Sequence, residues 1–67
     1  MENTDLHIIK YLSKGYKVNE INKLLIAEHS IKISYSSTEK RLNTIRKKYN
    51  AKTLFQLAII LKDEKVI

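Results

Sequence analysis

The chain has no cysteine, no proline, no tryptophan and a single glycine, Gly15. Without cysteine, disulfides and thiolate zinc sites are excluded. His7 and His29 are the only histidines, too few and too far apart in sequence to suggest a metal cage. Aliphatic and long charged residues fill the space that proline and glycine leave, a composition that favours helices over strands. Long apolar runs are missing too: the longest, Leu57 to Leu61, is five residues, against the ~18 needed to span a bilayer. The N-terminus, Met1-Glu2-Asn3-Thr4-Asp5, is acidic and polar, the wrong chemistry for a signal peptide. The chain therefore reads as soluble and cytoplasmic, with no membrane partner. Catalytic constellations are absent as well. There is no plausible nucleophile–base pair, no carboxylate pair at a recognisable spacing and no glycine-rich phosphate loop. The expectation is a protein that is not an enzyme and that carries no metal and no cofactor.

What is present is charge of one sign. Thirteen Lys and Arg against seven Asp and Glu give a net charge of +6 in 67 residues. Such a balance favours polyanionic partners, nucleic acid first and anionic membrane second. The length allows one domain, which buries only about 60% of the surface its unfolded chain exposes. Stability must come from a small hydrophobic core, helped by a partner subunit where one exists.

Four helical segments can be placed, at about residues 5–14, 18–27, 36–48 and 54–62, which makes the expected fold all-α. Leu6, Ile9 and Leu12, with Ile8 and Tyr11 beside them, give the first segment a buried stripe. Asn3 or Thr4 can cap it, and Gly15 suits the left-handed stop. A very short turn, Gly15-Tyr16-Lys17, leads to the second segment, whose apolar face is Val18, Ile21, Leu24, Leu25 and Ala27. Residues 28–33 read as an extended connector, because the alternation Ile31-Lys32-Ile33 is too brief to support a sheet. The third segment starts either at Ser34 or at Ser36, which with Glu39 would form a capping box. Tyr35, Thr38, Leu42, Ile45 and Tyr49 lie along one of its faces. Thr53 and Gln56 form a second capping box before the fourth segment.

On a helical wheel at about 100° per residue, Leu42 and Ile45 of the third helix point one way, whereas Lys40, Arg41, Asn43, Thr44, Lys47 and Lys48 point the other. Cations interleaved with short hydrogen-bonding side chains suit the major groove, the cations displacing counterions from phosphate and the amides and cations reaching base edges. A merely solvated face would also carry many lysines. The chain order weighs toward the groove, since two short helices precede the basic one and a hydrophobic helix follows it.

Three stretches resemble the LuxR/GerE-type helix-turn-helix, the DNA-binding domain of many bacterial response regulators. Ile8-Ile9-Lys10-Tyr11-Leu12-Ser13-Lys14-Gly15 is similar to its first helix and glycine stop. Asn19-Glu20-Ile21-Asn22-Lys23-Leu24-Leu25 is similar to its scaffold helix, where the family has a Lys-Glu-Ile-Ala core. Ile33-Ser34 through Thr38 to Asn50 resembles the recognition helix without a gap, and the likeness continues from Ala51 to Ala58. The resemblance implies a transcriptional regulator that binds double-stranded DNA, with base contacts at Glu39, Lys40 and Asn43. It implies phosphate contacts at Ser36, Ser37, Arg41, Lys47 and Lys52, to which the wheel adds Thr44 and Lys48. It also implies a receiver or sensor domain on the N-terminal side. Thr38 stands where the family usually has valine, Glu39 where it has lysine and Arg41 where it has histidine. Glu39 could accept from cytosine N4 or close the capping box with Ser36, and the local pattern favours the box. The connector before the third helix is about six residues longer than the family's tight turn, by comparison of the two patterns.

The fourth helix is apolar around most of its circumference, and a surface helix needs only one such stripe. Leu54, Phe55, Ala58, Ile59 and Lys62 are the expected dimer interface, resembling the family's dimerisation helix. A four-helix core that swallows the helix, or a further domain that covers it, would account for the same pattern. The rival to DNA binding is a small protein-interaction or dimerisation module with the same four helices. His7 and His29 read as exposed residues, and Tyr35 as either packing at the start of the third helix or meeting the sugar-phosphate backbone.

Overall fold

The structure is a computed structural model, and it describes residues 2–67. Four α-helices follow one another: α1 (Asn3–Ser13), α2 (Val18–His29), α3 (Tyr35–Lys48) and α4 (Leu54–Asp63). The fold is all-α, as the apolar spacing predicts.

Each helix ends for a local reason. Gly15, at φ 94°, terminates α1. Its amide donates to the Leu12 carbonyl at 3.0 Å and the Tyr16 amide to the Tyr11 carbonyl at 3.3 Å, the paired bonds of a Schellman turn. Asn50 does the same for α3 at φ 55°, with its amide on the Lys47 carbonyl and the Ala51 amide on the Arg46 carbonyl. Asparagine tolerates this region better than most residues. The Arg46 guanidinium then donates to the Ala51 carbonyl at 3.1 Å and closes the turn into α4.

Helix starts differ more from the sequence reading. Neither Asn3 nor Thr4 caps α1; the helix begins at Asn3, behind Glu2, which makes no side-chain cap. At the start of α2, Glu20 Oε1 accepts from the Lys17 amide at 3.0 Å, half of a capping box that the sequence reading missed. Ser34, not Ser36, caps α3, its hydroxyl accepting from the Ser37 amide at 3.1 Å. The box between Ser36 and Glu39 therefore does not form, and both residues lie inside the helix. Thr53 caps α4 as expected, accepting from the Gln56 amide at 3.0 Å, while Gln56 Oε1 accepts from the Lys52 amide.

The second helix runs to His29, two residues beyond its expected end, before Ser30 turns left-handed at φ 56°. Only residues 30–34 are left to connect α2 and α3, and they form no strand. Their alternation has a different use: Ile31 and Ile33 pack against the core while Lys32 stays exposed.

The core consists of Ile8, Ile9, Tyr11, Ile21, Leu25, Leu42, Ile45, Ala51, Leu57 and Leu61. Burying each large aliphatic side chain contributes about 1.5–3 kcal/mol. Helix α1 is the hub and touches all three others; α2 packs on α3, and α4 on α1 and α3. Among the described residues α2 and α4 make no contact, so they lie apart, both against α1 and α3. That arrangement leaves α3 with one face inward and the opposite face to solvent.

Candidate nucleic-acid interface

The inward face of α3 is set by three residues one turn apart, Thr38, Leu42 and Ile45, all buried. Because they share a face, the intervening positions must point away. Glu39, Lys40, Asn43, Thr44, Lys47 and Lys48 are all exposed, as are Ser36 and Ser37 in the first turn and Lys52 just beyond the helix. Residues 35–48 carry five cations against one carboxylate. Among the described residues, no carboxylate comes within ion-pair distance of Lys40, Lys47, Lys48 or Lys52. Their charges face water, where a polyanion could displace the counterions they hold.

Arg41 behaves differently. Its Nη1 lies 2.9 Å from Asp5 Oδ1 and 3.3 Å from Glu2 Oε2, both at the start of α1. Hydrogen bonds to Asp5 and then Glu2 push its pKa further up. The cation expected to meet phosphate is thus half-buried and already neutralised within the chain. Thr44 is also committed: its hydroxyl donates to the Lys40 carbonyl at 2.9 Å, which leaves its oxygen as an acceptor and removes the donor a phosphate needs. Ser37 keeps its own hydroxyl proton, because its oxygen is the acceptor from Ser34 at 3.0 Å. Tyr35, expected either to pack at the start of the helix or to meet the sugar-phosphate backbone, is half exposed at the tip of the helix.

A second surface feature lies on α4. Leu57 and Leu61 face the core, whereas Phe55 is 77% exposed and Ile59 46%. Leu54, Phe55, Ala58, Ile59 and Lys62 all line one groove of about 380 Å³, whose other wall is Leu12, Ser13, Gly15 and Tyr16 from the end of α1. The excess of apolar residues marks the α4 wall in the sequence, whereas Leu12 and Gly15 of the α1 wall read there only as core stripe and helix stop.

The two histidines, both expected to be exposed, meet; His29 is exposed as expected, whereas His7 is half-buried. Their rings stack with centroids 3.7 Å apart, joining α1 to the last turn of α2. The Tyr11 hydroxyl donates to Glu28 and lies 3.2 Å from His29 Nε2. Burial, then the neighbouring His29 and Lys10, lowers the pKa of His7, and the bond to Glu28 raises that of Tyr11 to about 12. No group of three His, Cys, Asp or Glu residues among the described residues is placed to hold a metal ion, and no helix is long and apolar enough to cross a membrane.

The chain matches no family model, no curated protein and no solved structure.

Proposed function

We propose that this protein binds double-stranded DNA sequence-specifically, with α3 in the major groove, and acts in the cytoplasm as a transcriptional regulator. One observation carries the reading: a single helix buries Leu42 and Ile45 and exposes Lys40, Asn43, Lys47 and Lys48, with no carboxylate neutralising the cations. In this reading Glu39, Lys40 and Asn43 meet base edges, and Glu39, free of any cap, is available to accept from cytosine N4. Lys47, Lys48 and Lys52, with the Ser36 and Ser37 hydroxyls, meet phosphate. Arg41 ties α3 to α1 instead, and Thr44 offers no donor. The resemblance to LuxR/GerE-type helix-turn-helix domains supports the same helix in the same role. The partner subunit is a second copy of the chain, joined through α4.

The test is binding to a random pool of duplexes, followed by titration of the recovered duplex at several salt concentrations. Three lysines on phosphate give a log–log salt slope of about −3 per protomer. Lys47→Ala flattens that slope by about one unit on every sequence. Asn43→Ala leaves the slope and blunts preference at one base pair. Affinity independent of salt, or a pool from which no sequence is enriched, would sink the proposal.

A further inference from the structure

The inward face of α3 is apolar except at one position. Thr38 is fully buried, and its hydroxyl donates to Asn22 Oδ1 on α2, with the Ser34 carbonyl 3.2 Å away as a second acceptor. The other end of the same carboxamide, Asn22 Nδ2, donates to the Ile33 carbonyl at 3.3 Å. One half-buried side chain of α2 thus grips both the end of the connector and the first part of α3.

Burying a hydroxyl and a carboxamide costs free energy unless both are paired, so the position is not explained by core stability alone. What such a pair adds is direction. Leu42 and Ile45 can slide or roll against their neighbours over a few tenths of an ångström at little cost, whereas a hydrogen bond weakens steeply once distance and angle depart from their optimum. The exposed side chains of a helix sit about 5–6 Å from its axis, so a roll of about 5° moves their tips by about half an ångström. That displacement reaches the tolerance of about 0.5 Å within which a binding constellation must be held. The remaining polar link to α3, Arg41 to Asp5 and Glu2, runs through a long and partly exposed side chain and constrains rotation less.

We propose that Asn22 and Thr38 are positioning residues that fix the rotation of α3 about its own axis, and through it the register in which Lys40 and Asn43 are presented. The role in reading rests on the DNA-binding function proposed above; the control of helix orientation does not.

Three variants test it: Thr38→Val, Thr38→Ser and the double variant Asn22→Ala with Thr38→Val. The double variant leaves neither hydroxyl nor carboxamide buried without its partner, the Ile33 carbonyl alone losing a donor, and it is expected to fold even where Thr38→Val does not. Backbone amide residual dipolar couplings report the orientation of α3 against α1 and α2. Affinity for the duplex that wild-type protein selects from a random pool, divided by affinity for a scrambled duplex, reports reading. In the double variant the couplings of residues 35–48 shift as a block. Its discrimination falls by about tenfold or more, while affinity for scrambled duplex and its salt slope stay at the wild-type values. Thr38→Ser keeps the hydroxyl and keeps the discrimination. A loss of melting temperature alone would not move couplings and discrimination together in this way. Unchanged couplings, or unchanged discrimination in the double variant, would overturn the assignment. Wild-type protein that shows no salt-dependent duplex binding overturns the DNA reading separately, and the couplings then decide the positioning role.

Discussion

Arg41 shows how a single side chain can carry the right charge on the right helix and still be withheld from a ligand. Its guanidinium meets Asp5 and Glu2, so α1 supplies the anions that a phosphate would otherwise supply. Asp5 is the closer and less exposed of the two. A partly exposed pair of this kind contributes at most about 1 kcal/mol to stability, because water and salt screen it. Replacing Asp5 with asparagine should therefore leave the fold intact and release a cation beside Lys40. The expected outcome for Asp5→Asn is tighter binding on every duplex and a salt slope steeper by up to about one unit, with sequence preference unchanged. Fluorescence anisotropy on selected and scrambled duplexes at three ionic strengths measures all of these. An unaltered slope would mean that Arg41 stays pinned by Glu2 or points away from the phosphates.

At the scale of the elements, the seam between α1 and α2 is where pH should act. The His7 pKa is lowered by burial first and by His29 and Lys10 second. The unfolded chain therefore takes up the proton before the native one, and stability falls as pH drops below about 6.5. Tyr11 has the opposite sign. Its pKa is raised from 10.0 to about 12 by Glu28, so its contribution is complete below pH 10 and is lost as pH climbs toward 12. Urea midpoints followed across pH should show both limbs; His7→Phe should flatten the acid one and Tyr11→Phe the alkaline one. An acid limb that survives in His7→Phe would assign it to other groups. None of this seam was legible in the sequence, because stacking between His7 and His29 depends on where α1 and α2 cross and on α2 running to His29. The helices themselves were legible wherever the apolar period was strong. Leu42 and Ile45 placed the core face of α3, and with it the exposed face that carries Lys40, Asn43 and Lys47. Caps were less legible: Ser34 and Ser36 offer the same chemistry two residues apart, and it is Ser34 whose hydroxyl accepts from the Ser37 amide. Thr38 reads as a departure from the family's usual valine and Asn22 carries no mark of its own; the fold gives both a meaning by bringing them together. Arg41 failed for the same reason, since its partners are on another helix.

Across the whole molecule, the densest run of cations and the apolar groove lie apart. Five of the thirteen cations are on α3, whereas the exposed groove runs between α4 and the end of α1, where Lys14, Lys17, Lys62 and Lys65 are set against Asp63 and Glu64. Two chains of net charge +6 repel each other less across the groove, where cations exceed carboxylates by two, than across α3, where they exceed them by four. A two-fold pairing requires one surface that complements itself. Phe55, protruding at the edge of a groove of about 380 Å³, would be the knob and the groove the socket. Pairing there would leave both α3 helices free to enter successive major grooves, and the selected duplex would be an inverted repeat with half-sites about 34–36 Å apart or a multiple of that spacing. Phe55→Asp places a charge in this contact without touching the core, since the side chain is 77% exposed. Sedimentation equilibrium should then give the mass of one chain, 7.9 kDa, at concentrations where wild-type protein gives that of two, with the melting curve of the isolated chain preserved. The variant should also recover single half-sites in place of repeats. Wild-type protein that sediments as one chain at every concentration, or repeats that survive Phe55→Asp, would remove α4 from the assembly and leave the groove to a different partner.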